Sequence, residues 1–251
     1  MLRRKEPPFL FSAQMLSHAA FQPILLGGMG ADTGDSLAFD VLATADIDDS
    51  THARIVALFH RSYRAPNDAY LRQSLAKLRF IATATSAATL AGFALGEMRI
   101  MDLPRLPRQA VALAGICCVD PRFRRRGLFR ELERRAFMAA GIAPAPRVLS
   151  CGRVAHPASF RTMTWSPTHV PKPFTPPTTW QQEIGAMIAQ AYGVHDFDPD
   201  TFVCVGSGSP MYPRIEMDVR ADEWDVFGAV NRDRGDSLLG LCWIPDAPAG
   251  W

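Results

Sequence analysis

Cysteine is scarce, at five in 251 residues with no C-x-x-C pair. An odd count with Cys117 and Cys118 adjacent offers no disulfide framework, so a reducing cytoplasm is the compartment expected. No apolar run approaches the length of a membrane span, and the opening MLRRKEPPFLFSAQ is broken by prolines before any signal-peptide core can form. The formal charge is only +2, with positive residues concentrated locally rather than spread over a face, which argues against a dedicated nucleic-acid binder. The six histidines lack zinc spacing. Asp196 to Asp200 alternates carboxylates like the start of a calcium loop but lacks its glycine and its glutamate, so no metal is expected. Gly206 to Pro210 (GSGSP) is not a nucleophile elbow. Neither a Walker loop nor three spaced glycines of a dinucleotide fold occurs.

What is there is a chain 48% hydrophobic, enough for one large domain or two small ones. It is organised around VDPRFRRRGLFRELERRAFMAA, from Val119 to Ala140. A buried-looking run from Val111 to Val119 stops at Asp120-Pro121, an arginine-loaded turn follows, and Gly127 opens a segment of helical period. Phe129, Leu132, Ala136, Phe137 and Ala140 make its apolar stripe. Strand, glycine turn and helix together leave several backbone N-H groups aimed at one space, with the positive end of the helix dipole behind them. Arg122, Arg124, Arg125 and Arg126 bring guanidinium groups suited to phosphate to the same turn. A phosphorylated ligand is the functional expectation, and a solvated charged connection is the alternative.

The stretch resembles the pyrophosphate loop of the GCN5-related N-acetyltransferase superfamily. Val119-Asp120-Pro121 stands for its Val-x-Pro, and Arg124-Arg125-Arg126-Gly127-Leu128-Phe129 for its [Arg/Gln]-x-x-Gly-x-[Gly/Ala], with Phe129 departing from the final small residue. The order of local signals agrees over residues 38 to 166. A strand over Phe39 to Leu42 precedes two helices, one capped within Asp46 to Ser50 and one by Asn67 or Asp68. Strands Phe80 to Thr85, Leu90 to Met101 and Val111 to Val119 follow, the last two separated by a proline-bearing loop. After the central helix come a strand, Arg147 to Gly152, and a short helix from His156. The resemblance implies an α/β (α+β) fold: a mixed, mostly antiparallel sheet with splayed central strands and flanking helices. Residues 1 to 37 read as a tail or irregular cover and 38 to 170 as the acyl-CoA-binding core. Residues 171 to 251 read as an extension completing the same sheet, with a separate domain as the alternative. Strands are expected there at Phe202 to Val205, Arg214 to Val219 and Leu238 to Ile244, and a helix at Ala221 to Val230.

The activity implied is acyl transfer from acetyl-CoA, or another acyl-CoA, to the amine of a small molecule by direct attack. A homodimer is one option for the assembly. A long-chain acyltransferase and a non-catalytic acyl-CoA-binding or protein-interaction member are the alternatives. By the same resemblance, backbone groups of Val119 would hold the pantetheine arm, those of Arg124 to Phe129 the pyrophosphate, and an N-H near Cys117 would polarise the thioester carbonyl. The family's usual acid tyrosine falls at or near Met163, and no tyrosine occurs between Tyr70 and Tyr192. His156, titratable near neutrality, is therefore the candidate acid, although its position also suits a helix-capping histidine. Glu97, on the strand GFALGEMRI, is the candidate base if alternation aims it at the cleft. Cys117 is the candidate thiol, against its ordinary role as a small buried apolar residue. Trp165, Phe174, Trp180 and Tyr212 are candidate walls of the acceptor pocket.

Overall fold

A computed structural model describes residues 36–251, so the tail expected over residues 1–37 lies, up to residue 35, outside the described residues. Strand β1 (Leu37–Ala43) leads to helices α1 (Asp49–Ser62) and α2 (Asp68–Lys77). The Asp48 carboxylate accepts from the Thr51 amide and the Asn67 side chain from that of Tyr70, so each helix starts where a short polar residue satisfies a first-turn donor. Strands β2 (Phe80–Ser86), β3 (Thr89–Leu103) and β4 (Leu106–Val119) form an antiparallel meander with β1. Both β3 and β4 run past their expected ends. The proline loop between them contracts to a tight turn at Pro104 and Arg105, the latter with φ 64°, and Leu103 pairs with Leu106.

After helix α3 (Leu128–Met138), strand β5 (Val148–Val154) lies parallel to β4. Helices α4 (Pro157–Thr164) and α5 (Thr179–Ala191) follow, and the chain then adds β6 (Phe197–Asp198), β7 (Val203–Cys204) and β8 (Ser237–Ile244). The eight strands among the described residues form one sheet in the order β1-β2-β3-β4-β5-β8-β7-β6. One C-terminal expectation fails, and another holds in part. Arg214 to Val219 forms no strand, because it crosses beside the first two helices with a single bridge, Arg64 to Arg214, and leaves Met217 51% exposed. Ala221–Phe227 is a 3-10 segment rather than an α-helix.

Strand alternation sorts the two faces. Ile81, Phe93, Leu95, Leu113 and Leu149 pack with α1, α2 and α5 through Ile55, Leu58, Phe59, Leu71, Ile184 and Ile188. On the opposite face Ala82, Ala84 and Ala94 meet Leu128, Leu132 and Ala136 of α3. The residues there are small because the helix lies close: a Cβ on Gly92 would come 2.8 Å from Leu132, and one on Gly96 2.9 Å from Phe137.

Candidate active site

The site begins where β4 leaves β5. Their pairing runs from Ala110–Val148 to Ala114–Gly152 and stops, while β4 continues to Val119. A bulge drives the separation. Ala94 faces Cys117 and Gly96 faces Ala114, so β4 carries one residue more than β3 across this step, which bends the strand. Tyr192 stands at the last rung, its hydroxyl 2.9 Å from the carbonyls of both Ala114 and Cys151. Beyond it a cleft opens, lined by Tyr63, Tyr70, Cys117, Glu133, Arg153 and Tyr212 among others.

Past the bulge, the edge of β4 facing this cleft lacks a strand partner among the described residues. The Cys117 carbonyl accepts from the Tyr63 hydroxyl at 2.9 Å, and the Val119 carbonyl from Arg124 Nε at 3.2 Å. In an antiparallel ladder a residue's N-H and C=O point to the same side, so the Cys117 and Val119 amides face the cleft as well. Beyond Val119 a 3-10 turn, Pro121–Phe123, carries the chain to Gly127. Gly127 sits at φ 75° with nothing within 4 Å of where a Cβ would be, and no side chain caps the helix it opens. The first amides of α3 therefore lack a side-chain acceptor among the described residues, at the positive end of the dipole.

The arginines of the bend divide into two kinds. Arg124 is structural: besides Val119 it donates to the Ser62 carbonyl at 2.9 Å, tying the bend to α1. Asp120, 2% exposed, accepts from Arg61 Nε and from the backbone and side chain of Arg122, all at 3.0 Å. Those donors hold its carboxyl far below the ordinary carboxylate range, despite the opposing pull of burial. Arg125 and Arg126 are exposed at the bend, Arg126 with its guanidinium 5.5 Å above the Phe123 ring. Leu128 is buried, and the Phe129 side chain packs against the core beneath α3, leaving the backbone at that turn to the outside.

The candidate catalytic side chains fare differently. Glu97 is not brought to the cleft. It is 1% exposed, accepts from the Arg79 amide at 2.8 Å and pairs with Arg99, so its carboxylate is consumed by neighbours. His156 does line the cleft, as the residue capping α4. Its Nδ1 accepts from the Ala158 amide at 3.1 Å, and Trp224 lies edge-on at 5.2 Å. Burial, with Arg232 and Arg161 nearby, pushes its pKa down, which favours neutral imidazole protonated on Nε2. The Cys117 thiol also lines the cleft, but burial raises its pKa well above 9, so it is a thiol and no ready nucleophile. Of the aromatic walls expected, only Tyr212 is there. Trp165 and Phe174 are 40% and 91% exposed elsewhere, and Trp180 is buried against Trp251.

Sequence reasoning missed Glu133 and Arg153. Glu133 follows Phe129 by one helical turn on α3 and precedes Phe137 by another, so it lies on the flank of the helix that meets β4. It forms no hydrogen bond or ion pair among the described residues, and burial raises its carboxyl to about 8. The only signal available was a glutamate in register with two phenylalanines of the apolar stripe.

No protein-family model and no curated protein matches the chain. Solved structures similar to it include a GNAT family N-acetyltransferase (YhbS) from Escherichia coli in complex with CoA. That likeness is at 19% identity and TM-score 0.36, over 53% of this chain and 71% of that one. An aminoglycoside N-acetyltransferase in complex with CoA is similar at 15% and 0.38, over 67% and 93%. A fungal multi-domain β-N-acetylglucosaminidase with a GCN5-related glucosamine N-acetyltransferase region is similar at 14% and 0.35, over 49% of this chain and only 14% of that one. Such values carry no statement about substrate. The meander β1 to β4, the bulged β4 parting from a parallel β5, and the glycine bend opening α3 are the arrangement that the sequence's resemblance to the GCN5-related N-acetyltransferases implies.

Proposed function

We propose that the protein is an acyl-CoA-dependent N-acyltransferase, moving an acetyl group from acetyl-CoA to the amine of a small molecule. The carrying observation is the continuity of the unpaired β4 edge with the uncapped bend at Gly127. The residues fit the co-substrate: amides of residues 127 to 129 with Arg125 and Arg126 would take its diphosphate, and Val119 its amide-bearing arm. The Cys117 amide would stabilise charge developing on the thioester oxygen. The amine nitrogen forms a bond to the carbonyl carbon, the C-S bond breaks, the amine loses a proton to water in the cleft and the departing thiolate gains one. We assign that last proton to Glu133, which is protonated below about pH 8. His156 keeps its capping role, and Glu97 is left to the fold.

A CoA-binding protein without turnover is the second reading. Its support is Met163, which stands where the resemblance expects a tyrosine and packs against Gly152 and Gly240. One experiment separates them: titration of acetyl-CoA by calorimetry, followed by free-thiol release over a panel of amines. Binding with release supports the enzyme, and binding with no release over the whole panel supports the second reading. Replacing Arg125 and Arg126 together with alanine should weaken CoA binding by about tenfold or more, increasingly at low salt. Unchanged affinity would remove the bend from the reading. Arg124 is the wrong residue for that test, because its loss would release the bend from α1.

A further inference from the structure

Arg153 is the first residue of β5 beyond its last rung with β4, and its side chain lines the cleft. It follows Leu149 and Cys151 on the sheet face covered by α1 and α2. Its Nη2 donates to the Tyr212 hydroxyl at 2.8 Å and its Nε to Ser237 Oγ at 3.2 Å, both neutral acceptors. A guanidinium has five N-H donors, so donors remain without an oxygen acceptor among the described residues. Elsewhere in the fold Arg61, Arg99, Arg161 and Arg234 each hold a carboxylate. Arg153 has none among the described residues, and its charge presses on Lys77, a second cation whose pKa it helps burial to lower. A partly buried guanidinium in a cleft, without a counter-ion, costs free energy that a carboxylate would offset.

We propose that Arg153 receives a carboxylate of the acceptor, which makes the acceptor class amino carboxylates, free amino acids foremost. The inference rests on the acyl-transfer reading of the cleft. The geometry agrees with the chemistry. The thioester would lie along the Cys117 edge of β4, two residues beyond Gly115, the position level with Arg153 on β5, so the two backbones stand at least about 8 Å apart, a gap that the long arginine side chain narrows. An α-amino acid can present its nitrogen to one side and its carboxylate to the other over that span. Tyr63, Tyr70, Tyr212 and Ile215 wall the same space, with the Tyr70 and Tyr212 rings 4.9 Å apart, so the side chain favoured is apolar or aromatic.

The test uses the full chain, acetyl-CoA and two probe sets: apolar and aromatic L-amino acids, and the same compounds as carboxamides. Thiol release and calorimetric binding are both read. The acids should exceed their amides in kcat/KM by about tenfold or more, and R153Q should erase that preference through KM, with a far larger fall for the acids than for the amides and the CoA affinity unchanged. Because Arg153 also braces Tyr212 and Ser237, R153K serves as the conservative control and should keep part of the preference. Equal use of acids and amides by the native protein, or an equal fall for both in R153Q, overturns the carboxylate site while thiol release leaves acyl transfer standing. Acid-selective, Arg153-dependent binding without thiol release from any probe supports the site and removes the acyl-transfer reading. Absence of binding by any acid overturns the proposal.

Discussion

The single proton that burial keeps on Glu133 bears both on stability and on the proton-donor role proposed for it, and Glu133→Gln tests both. In the unfolded chain its carboxyl titrates near 4.5, whereas burial in the cleft raises it to about 8. Between those values the folded protein holds a proton that the unfolded chain has released, so stability falls as pH rises through the window and levels off above about 8. Each pH unit is worth about 1.4 kcal/mol, or ~5 kcal/mol for a fully sealed carboxyl. The side chain keeps some solvent exposure, so we take about half of that, ~2 kcal/mol. Glutamine is isosteric and uncharged at every pH. The variant should therefore match the native protein near pH 4 and exceed it at pH 8.5 by ~2 kcal/mol, or roughly 4–8 °C in Tm for a chain of this size. Thermal unfolding followed by circular dichroism from pH 4 to 9 reads this directly. Curves for the two proteins that run parallel would refute the buried acid. The same variant should lower kcat by about a hundredfold and remove the alkaline limb of its pH profile, and an unchanged kcat would strip Glu133 of its proton-donor role even if the stability result held.

Asp120→Asn should cost about 2 kcal/mol, less than a fully buried pair because Arg61 and Arg122 are 37% and 67% exposed. Its depressed pKa makes that stability present above 3.8 and lost as pH falls toward the folded value, so the two proteins should converge in acid-induced unfolding. His156→Ala should lose about 1 kcal/mol of stability, largely restored by His156→Asn, with no change in the pH profile of thiol release. A flattened limb in that profile would return proton transfer to the histidine.

Local pattern carried much of the fold. Asp48 and Asn67 cap the helices their positions suggested, and the alternation in β2 and β3 separates large from small side chains between the two faces. The glycine bend was equally legible, since only a residue without a Cβ sits easily at φ 75° before a helix. Where local signals were weak, reading failed. Arg214 to Val219 has strand-like alternation but no neighbouring edge to pair with, and strands form by pairing. Glu97 alternates as expected, yet the arginines at 79 and 99 close over it, and no spacing rule announces that.

The sequence by itself determined the secondary elements through α4, their order and the arginine-rich turn, because caps, periodicity and glycine act within a few residues. Only the tertiary structure decided which charges are spent. It engages Arg124, Asp120 and Glu97 in holding the frame, and it leaves Arg125 and Arg126 exposed at the bend and Glu133 and Arg153 in the cleft, none of them in an ion pair among the described residues. That division depends on what lies across the sheet and how much water remains there, and neither is a property of neighbours along the chain.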